Sequence, residues 1–180
     1  MKKKLVIFIV VGILLGGLAG FVTFTLNRNT TNETVIDMSK AVEACDVLTL
    51  DEAKLLLGEA ATVGTNTDPL TSPAISIDNC SYTNNAATVG DIRIITLTTR
   101  SALNEEGRKS NIDVFSPDYV EYPANAEVVE GLGDKAFWDP NSRQLAILDG
   151  DLWLGIVYGG TNPANNTLED AKKVAELVLN

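Results

Sequence analysis

Histidine is absent from all 180 residues, and that absence removes more chemistry than any residue present supplies. Neither a Ser-His-Asp nor a Cys-His nucleophile system can be assembled, nor a histidine-ligated metal centre. GxSxG, SxxK, P-loop and HExxH patterns are missing too, and Asp139-Pro140-Asn141 starts like a calcium loop and then departs from it. Cysteine is scarce: Cys45 and Cys80 are the two present, and neither stands where a lipid-attachment cysteine would follow the apolar N-terminal run. Positive charge is thin beyond the N-terminus. Residues 27–180 hold 11 of the 14 Lys and Arg but all 24 Asp and Glu, a net −13. A surface of that sign repels phosphate backbones and so argues against nucleic acid as a partner. It also disfavours anionic lipid or wall polymers unless a cation bridges them, while keeping an exported domain soluble.

What is present begins with Leu5–Leu26, a run that carries no charge at all. At about 1.5 Å per helical residue it is long enough for a bilayer core of roughly 30 Å. Lys2, Lys3 and Lys4 precede it, so the expected organisation is a cytoplasmic stub over 1–4 and a transmembrane anchor over 5–26. A polar tether over 27–43 and an extracytoplasmic domain over 44–180 follow. The competing reading is a signal peptide cut after Ala19, since Gly17-Leu18-Ala19 puts small residues at the cleavage positions and would release the domain. Apolar character continues to Leu26, which suits an anchor better. Gly12, Gly16 and Gly20 share one helical face, a stripe that lets two anchors approach and form a homodimer.

Past the membrane an even pair of cysteines in an oxidising space reads as a disulfide, Cys45 to Cys80, with two free thiols or a redox pair as the alternatives. Val35, Met38 and Val42 recur at helical spacing and predict a helix leading into the domain. Thr49 and Glu52 form a capping box, Leu50, Ala53 and Leu57 share a face, and Gly58 ends that helix. A loop rich in Thr, Asn, Asp and Pro is expected from there to about Pro73. Ile75–Thr83 and Asp91–Thr99 read as strands, joined at the turn signal Asn84-Asn85. A weaker helix is expected from Ser101 to about Asn111, then an irregular connection past Pro117 and Pro123.

Lys135–Asp139 reads as a short strand after the turn Gly131-Leu132-Gly133-Asp134. Arg143–Leu148 and Asp151–Tyr158 flank Asp149-Gly150, a strong hairpin signal. A turn at those two residues pairs Ile147 with Leu152 and Leu145 with Leu154, putting Leu145, Ile147, Leu154 and Ile156 on one face and Trp153 on the other. Leu168–Leu179 closes the chain as a helix capped by Thr167. The fold class is therefore α+β, an antiparallel sheet with N- and C-terminal helices packed on it.

Two residue groups are candidates for a site. Trp138 and Trp153, with Phe137, Tyr119 and Tyr122, would line a groove for a sugar or peptide. The preferred account of Trp153 is that it packs under a helix as core, as large aromatics usually do. Asp134, Asp139, Asp149 and Asp151 cluster around the hairpin, and a carboxylate pair is the remaining route to hydrolysis or surface calcium. Aspartate is favoured at turns for local backbone bonding, and that is the preferred account of all four.

Ala44-Cys45-Asp46-Val47-Leu48-Thr49 with Glu52-Ala53 and Leu57-Gly58, the second cysteine followed by Tyr82, and Val129–Trp138 with the final hairpin and helix carry a resemblance. Residues 44–179 look like the small envelope lipoprotein and membrane-anchored domains of actinobacteria and related Gram-positive bacteria. They are similar also to the extracellular sensor-like domain of some receptor kinases. The resemblance implies a disulfide-stapled α+β domain outside the membrane; it implies no activity and provides no catalytic residues to carry over, and no cofactor is expected. The expectation is a non-catalytic binding or sensor-like module of the envelope, its partner an envelope protein, peptide or glycan. A structural role, holding a partner membrane protein, is the alternative, and a carboxylate hydrolase the remote one.

Overall fold

Alternation of apolar and polar side chains makes strands of Ile75–Thr83 (β2) and Arg93–Ala102 (β3), and burial follows the same period of two. In the computed structural model, which describes residues 41–162 and 166–180, these strands lie within one seven-stranded antiparallel sheet. The others are β1 (Thr62–Thr71), β4 (Glu127–Val128), β5 (Lys135–Asp139), β6 (Gln144–Asp149) and β7 (Leu152–Gly160), in the spatial order β1-β2-β3-β7-β6-β5-β4. Four helices complete the fold: α1 (Ala44–Val47), α2 (Leu50–Leu57), α3 (Glu105–Asp113) and α4 (Leu168–Val178). The α+β class and the antiparallel sheet are as the sequence indicates. The run 5–26 with Gly12, Gly16 and Gly20, and the tether up to residue 40, lie outside the described residues. Among the described residues no helix is long and apolar enough to cross a membrane.

One face of the sheet is sealed by α1, α2 and α4. Cys80, Tyr82, Ile95, Leu97, Leu145, Ile147, Leu154 and Ile156 meet Ala53 and Leu57 of α2 and Ala171, Val174 and Ala175 of α4 in the main core. The capping box is formed as expected, with Thr49 Oγ1 accepting from the Glu52 amide at 3.3 Å and Glu52 Oε2 accepting from the Thr49 amide at 2.8 Å. Gly58 ends α2 at φ +90°. Thr167 caps α4 by accepting from the Asp170 amide.

Two tyrosines then pin this helical layer to the sheet: Tyr82 donates to the Leu48 carbonyl, and Tyr158 to that of Leu56 at 3.2 Å. Burial pushes the Tyr82 hydroxyl above the ordinary tyrosine range, and Glu52 and Asp46 push it further. Cys45 and Cys80 are bonded, joining α1 to β2 across 5.1 Å between Cα atoms. The chain is tied to the sheet even before α1, because Val42 donates to Ser101 Oγ and accepts from Thr99 Oγ1.

Four expectations are corrected. The stretch after Gly58 contains a strand, β1, rather than a loop through Pro73. It is an edge strand with most of its side chains exposed and two register shifts against β2, so no hydrophobic period marks it and backbone pairing, with hydrogen bonds at Thr62 and Thr71, holds it. The weak helix starts at Glu105, because Ser101 and Ala102 continue β3 and Asn104 caps α3 by accepting from the Gly107 amide. The link between β2 and β3 spans residues 84–92 and includes a single helical turn at Val89–Asp91. Lastly, the β6–β7 turn is Gly150-Asp151, not Asp149-Gly150.

In that hairpin Asp149 pairs with Leu152 and Ile147 with Leu154, and Gly150 alone has positive φ, +58°, which matches a type II′ turn with Gly first. The Gly150 amide donates to Asp134 Oδ2 at 2.9 Å, which favours turning there. A shift of one residue on both strands moves each pair by two, so parity survives and the expected faces stand. Leu145, Ile147, Leu154 and Ile156 are in the main core and Trp153 is on the opposite side.

Candidate functional site

The second face of the sheet is covered over only part of its width. Phe137, Ala146 and Leu148 there pack under Phe115, with Ile112 and Val114 from the end of α3 and Tyr122 and Ala126 from the following segment. Phe137 sits at the middle of an aromatic group, 5.2 Å from Phe115 and 5.1 Å from Tyr122 between ring centroids. Over β2 and β3 the same face is polar, with Asn79, Ser81, Thr96 and Thr98 partly exposed, and none of the helices among the described residues buries them. Where the cover stops, a groove of about 540 Å³ opens. Its floor is Ile77, Thr98, Arg100 and Trp153, and Val114, Pro123 and Glu121 stand on the covered side. A depression of about 380 Å³ toward Leu70 and Ile75 shares Ile77, Arg100 and Glu121 with it.

Register explains why these side chains meet. Ile77 pairs with Arg100, and Arg100 with Trp153, so three neighbouring strands present them in one row. In the next row Thr98 pairs with Gly155. A Cβ on Gly155 would lie 2.5 Å from Trp153 Cη2 and 2.8 Å from Gln144 Nε2. Glycine is what admits the indole against the sheet at that point, with the Gln144 amide beside it. The Trp153 indole N–H has no partner, and it is not sealed from solvent, since Asn111 Oδ1 is the single buried side-chain polar atom left unpaired among the described residues.

Arg100 is anchored through its backbone and one side-chain bond. Asn111 Nδ2 donates to the Arg100 carbonyl and to that of Asp151, both at 2.8 Å, and Arg100 Nη2 donates to Ser110 Oγ at 2.7 Å. No carboxylate lies within ion-pair distance of its guanidinium, and the remaining donors are free. Half-burial pushes the guanidinium below its ordinary range, with Tyr119 and Glu121 opposing the shift. Arginine nonetheless stays charged. At the other end of the groove Asp139 accepts from Ser142 Oγ at 2.6 Å and from the Asn141 and Ser142 amides. Burial acts to raise the Asp139 carboxyl, but those hydrogen bonds outweigh it and hold the group below the usual range.

The tryptophans singled out by sequence are separated by the sheet. Trp138 is 6% exposed and belongs to the main core beneath the helices. Trp153, expected as core, is instead half-buried on the groove side, packed against the second cluster while lining the floor, because its strand position turns it away from the main core. The four hairpin carboxylates are likewise dispersed. Asp134 holds the Gly150 amide, Asp139 its own turn, and Asp151 pairs with Arg108 at 2.8 Å, while Asp149 ends β6 exposed. Among the described residues no group of three or more potential metal-ligating side chains gathers. Sequence reasoning missed Arg100 and Gly155, because neither shows an unusual spacing and only register places them beside Trp153. No protein-family model, curated protein or solved structure matches the chain.

Proposed function

We propose that the protein is a membrane-tethered, non-catalytic binding or sensor-like module of the cell envelope, whose ligand site is the groove over Ile77, Arg100 and Trp153. The observation that carries this reading is the row itself. A half-buried cation without a carboxylate partner stands beside an indole whose N–H is free, at the line where the sheet loses its cover. An open cation and a free indole N–H converging beside apolar side chains are the kind of lining that ligand sites carry. The disulfide supports an extracytoplasmic setting, since such bonds persist in oxidising compartments. The lysines before an uncharged run support an anchor with the N-terminus inside. The resemblance of residues 44–179 to envelope domains points the same way. The absence of histidine and the engagement of Asp134, Asp139 and Asp151 in turns and an ion pair favour binding over catalysis.

Two measurements test the reading. Full-length protein is expected to stay in carbonate-washed membranes, and a mature N-terminus at Gly20 in the medium would refute the tether. For the groove, the two indole N–H resonances of the full-length protein in detergent micelles serve as opposite-face reporters. Titration with short oligosaccharides and peptides of the envelope type is expected to move the Trp153 signal and leave Trp138 still. Trp153→Ala removes the responding signal and the binding. Equal movement of both signals, or of neither, refutes the groove as the site.

A further inference from the structure

The groove's charges define the chemistry of what it binds, on the reading that it is a ligand site. Arg100 is the single cation in its lining, against two acids, Glu121 and Asp139. Glu121 lines the groove and the adjoining depression together with Arg100, yet it makes no ion pair with it. A dianion such as a phosphate monoester would gain one cation and meet two carboxylates, an unfavourable exchange. A monoanion carrying its own nitrogen donor next to the negative group fits both signs at once. The planar guanidinium fork suits a carboxylate, with which it makes paired, charge-assisted hydrogen bonds. Trp153 in that row, with Val114 and Phe137 beside it, makes an apolar surface for a side chain.

We propose that the groove receives the terminal carboxylate of an α-amino acid, free or at the C-terminus of a peptide, on Arg100. The α-nitrogen lies toward Glu121 and an apolar side chain rests against Trp153 and Phe137. In the free amino acid the nitrogen is an ammonium and pairs with Glu121; in a peptide it is an amide N–H and donates a hydrogen bond there. The two sources share the carboxylate on Arg100 and differ only at Glu121.

The test uses the full-length protein in detergent micelles and three probes, L-phenylalanine, L-phenylalaninamide and N-acetyl-L-phenylalanine, followed by calorimetry and the Trp153 indole signal. At least one of the two acids is expected to bind and to move Trp153. Because a lost charged hydrogen-bond partner weakens binding about 10–100-fold, the amide is expected to be weaker by that factor. This arm needs no altered protein. Arg100→Gln should lower the affinity for the acid by about the same factor and erase the preference for acid over amide, with melting curves recorded in parallel. Tighter binding of L-phenylalanine than of its N-acetyl form, lost in Glu121→Gln, identifies a free amino acid as the ligand; equal or tighter binding of the N-acetyl form identifies a peptide end. Amide binding as strong as acid binding, or an Arg100→Gln protein of unchanged affinity, overturns the proposal. If none of the three probes moves Trp153 while an oligosaccharide or internal peptide does, the ligand class is wrong and the groove stands. If nothing moves it, both fail.

Discussion

Replacing Cys45 and Cys80 together by alanine is expected to lower the free energy of unfolding by about 4 kcal/mol, read from denaturant melts of the two proteins. The bond links positions 35 residues apart, and the loop-entropy relation assigns about 3.8 kcal/mol to closing a loop of that size. Two features argue that little of this is lost to strain or slack. Cys80 is fully buried in the main core, between the sheet and the helices. Cys45 lies in α1, whose four residues are too few to persist alone and which is held otherwise by Ala44 donating to Asp78 Oδ2 at 2.7 Å. Domains of this size are stable by about 5–15 kcal/mol, so the double variant retains a fold with little margin. Reduction of the native protein should reproduce the loss. A change below about 1 kcal/mol would mean that the cross-link constrains the unfolded chain far less than a loop of this length requires.

Leu154→Ala is expected to cost about 2–5 kcal/mol, the range for deleting a buried leucine side chain where the surroundings relax only in part. Leu154 is 1% exposed at the centre of β7, between β3 and β6, and faces the main core with Leu145, Ile147 and Ile156. The neighbouring Trp153→Ala should cost only about 1–2 kcal/mol, since that ring is withdrawn from water on one side alone. The pair of variants tests the register directly. Trp153→Ala unfolded beside a stable Leu154→Ala would place the wrong face of β7 in the core. The expected order, a strong effect at Leu154 and a weak one at Trp153 accompanied by lost ligand response, is what a half-buried groove residue requires.

How far the sequence reached depends on the range of the interaction that decides each feature. The helix over Leu50–Leu57 is legible because its cap, its apolar face and its terminating glycine all lie within ten residues, and local energetics agree with the final packing. The same holds for the face assignment in the last hairpin, where a period of two survives even a misplaced turn. The turn itself lies one residue further on, where the Gly150 amide donates to Asp134, 16 residues earlier. No local pattern announces that partner.

The edge strand β1 was opaque for a related reason. With Thr, Asn, Asp and Pro along Thr62–Thr71, it is chiefly pairing with the edge of β2 that makes it a strand.

By itself, then, the sequence determined the acidic character of residues 27–180, the α+β class and the inward face of each strongly patterned strand. These depend on composition and on periods of two or about 3.6 residues, which are local quantities. The pairing of Cys45 with Cys80 was legible too, since two cysteines allow one disulfide. Tertiary structure alone decided that Trp138 and Trp153 lie on opposite faces and that Arg100 stands next to Trp153 over a gap left by Gly155. Arg100 and Trp153 are more than fifty residues apart, and antiparallel register between β3 and β7 is what joins them. Register is set by the sum of many backbone pairs and by which side chains the helices bury, so it belongs to the assembled sheet and not to any one stretch of chain.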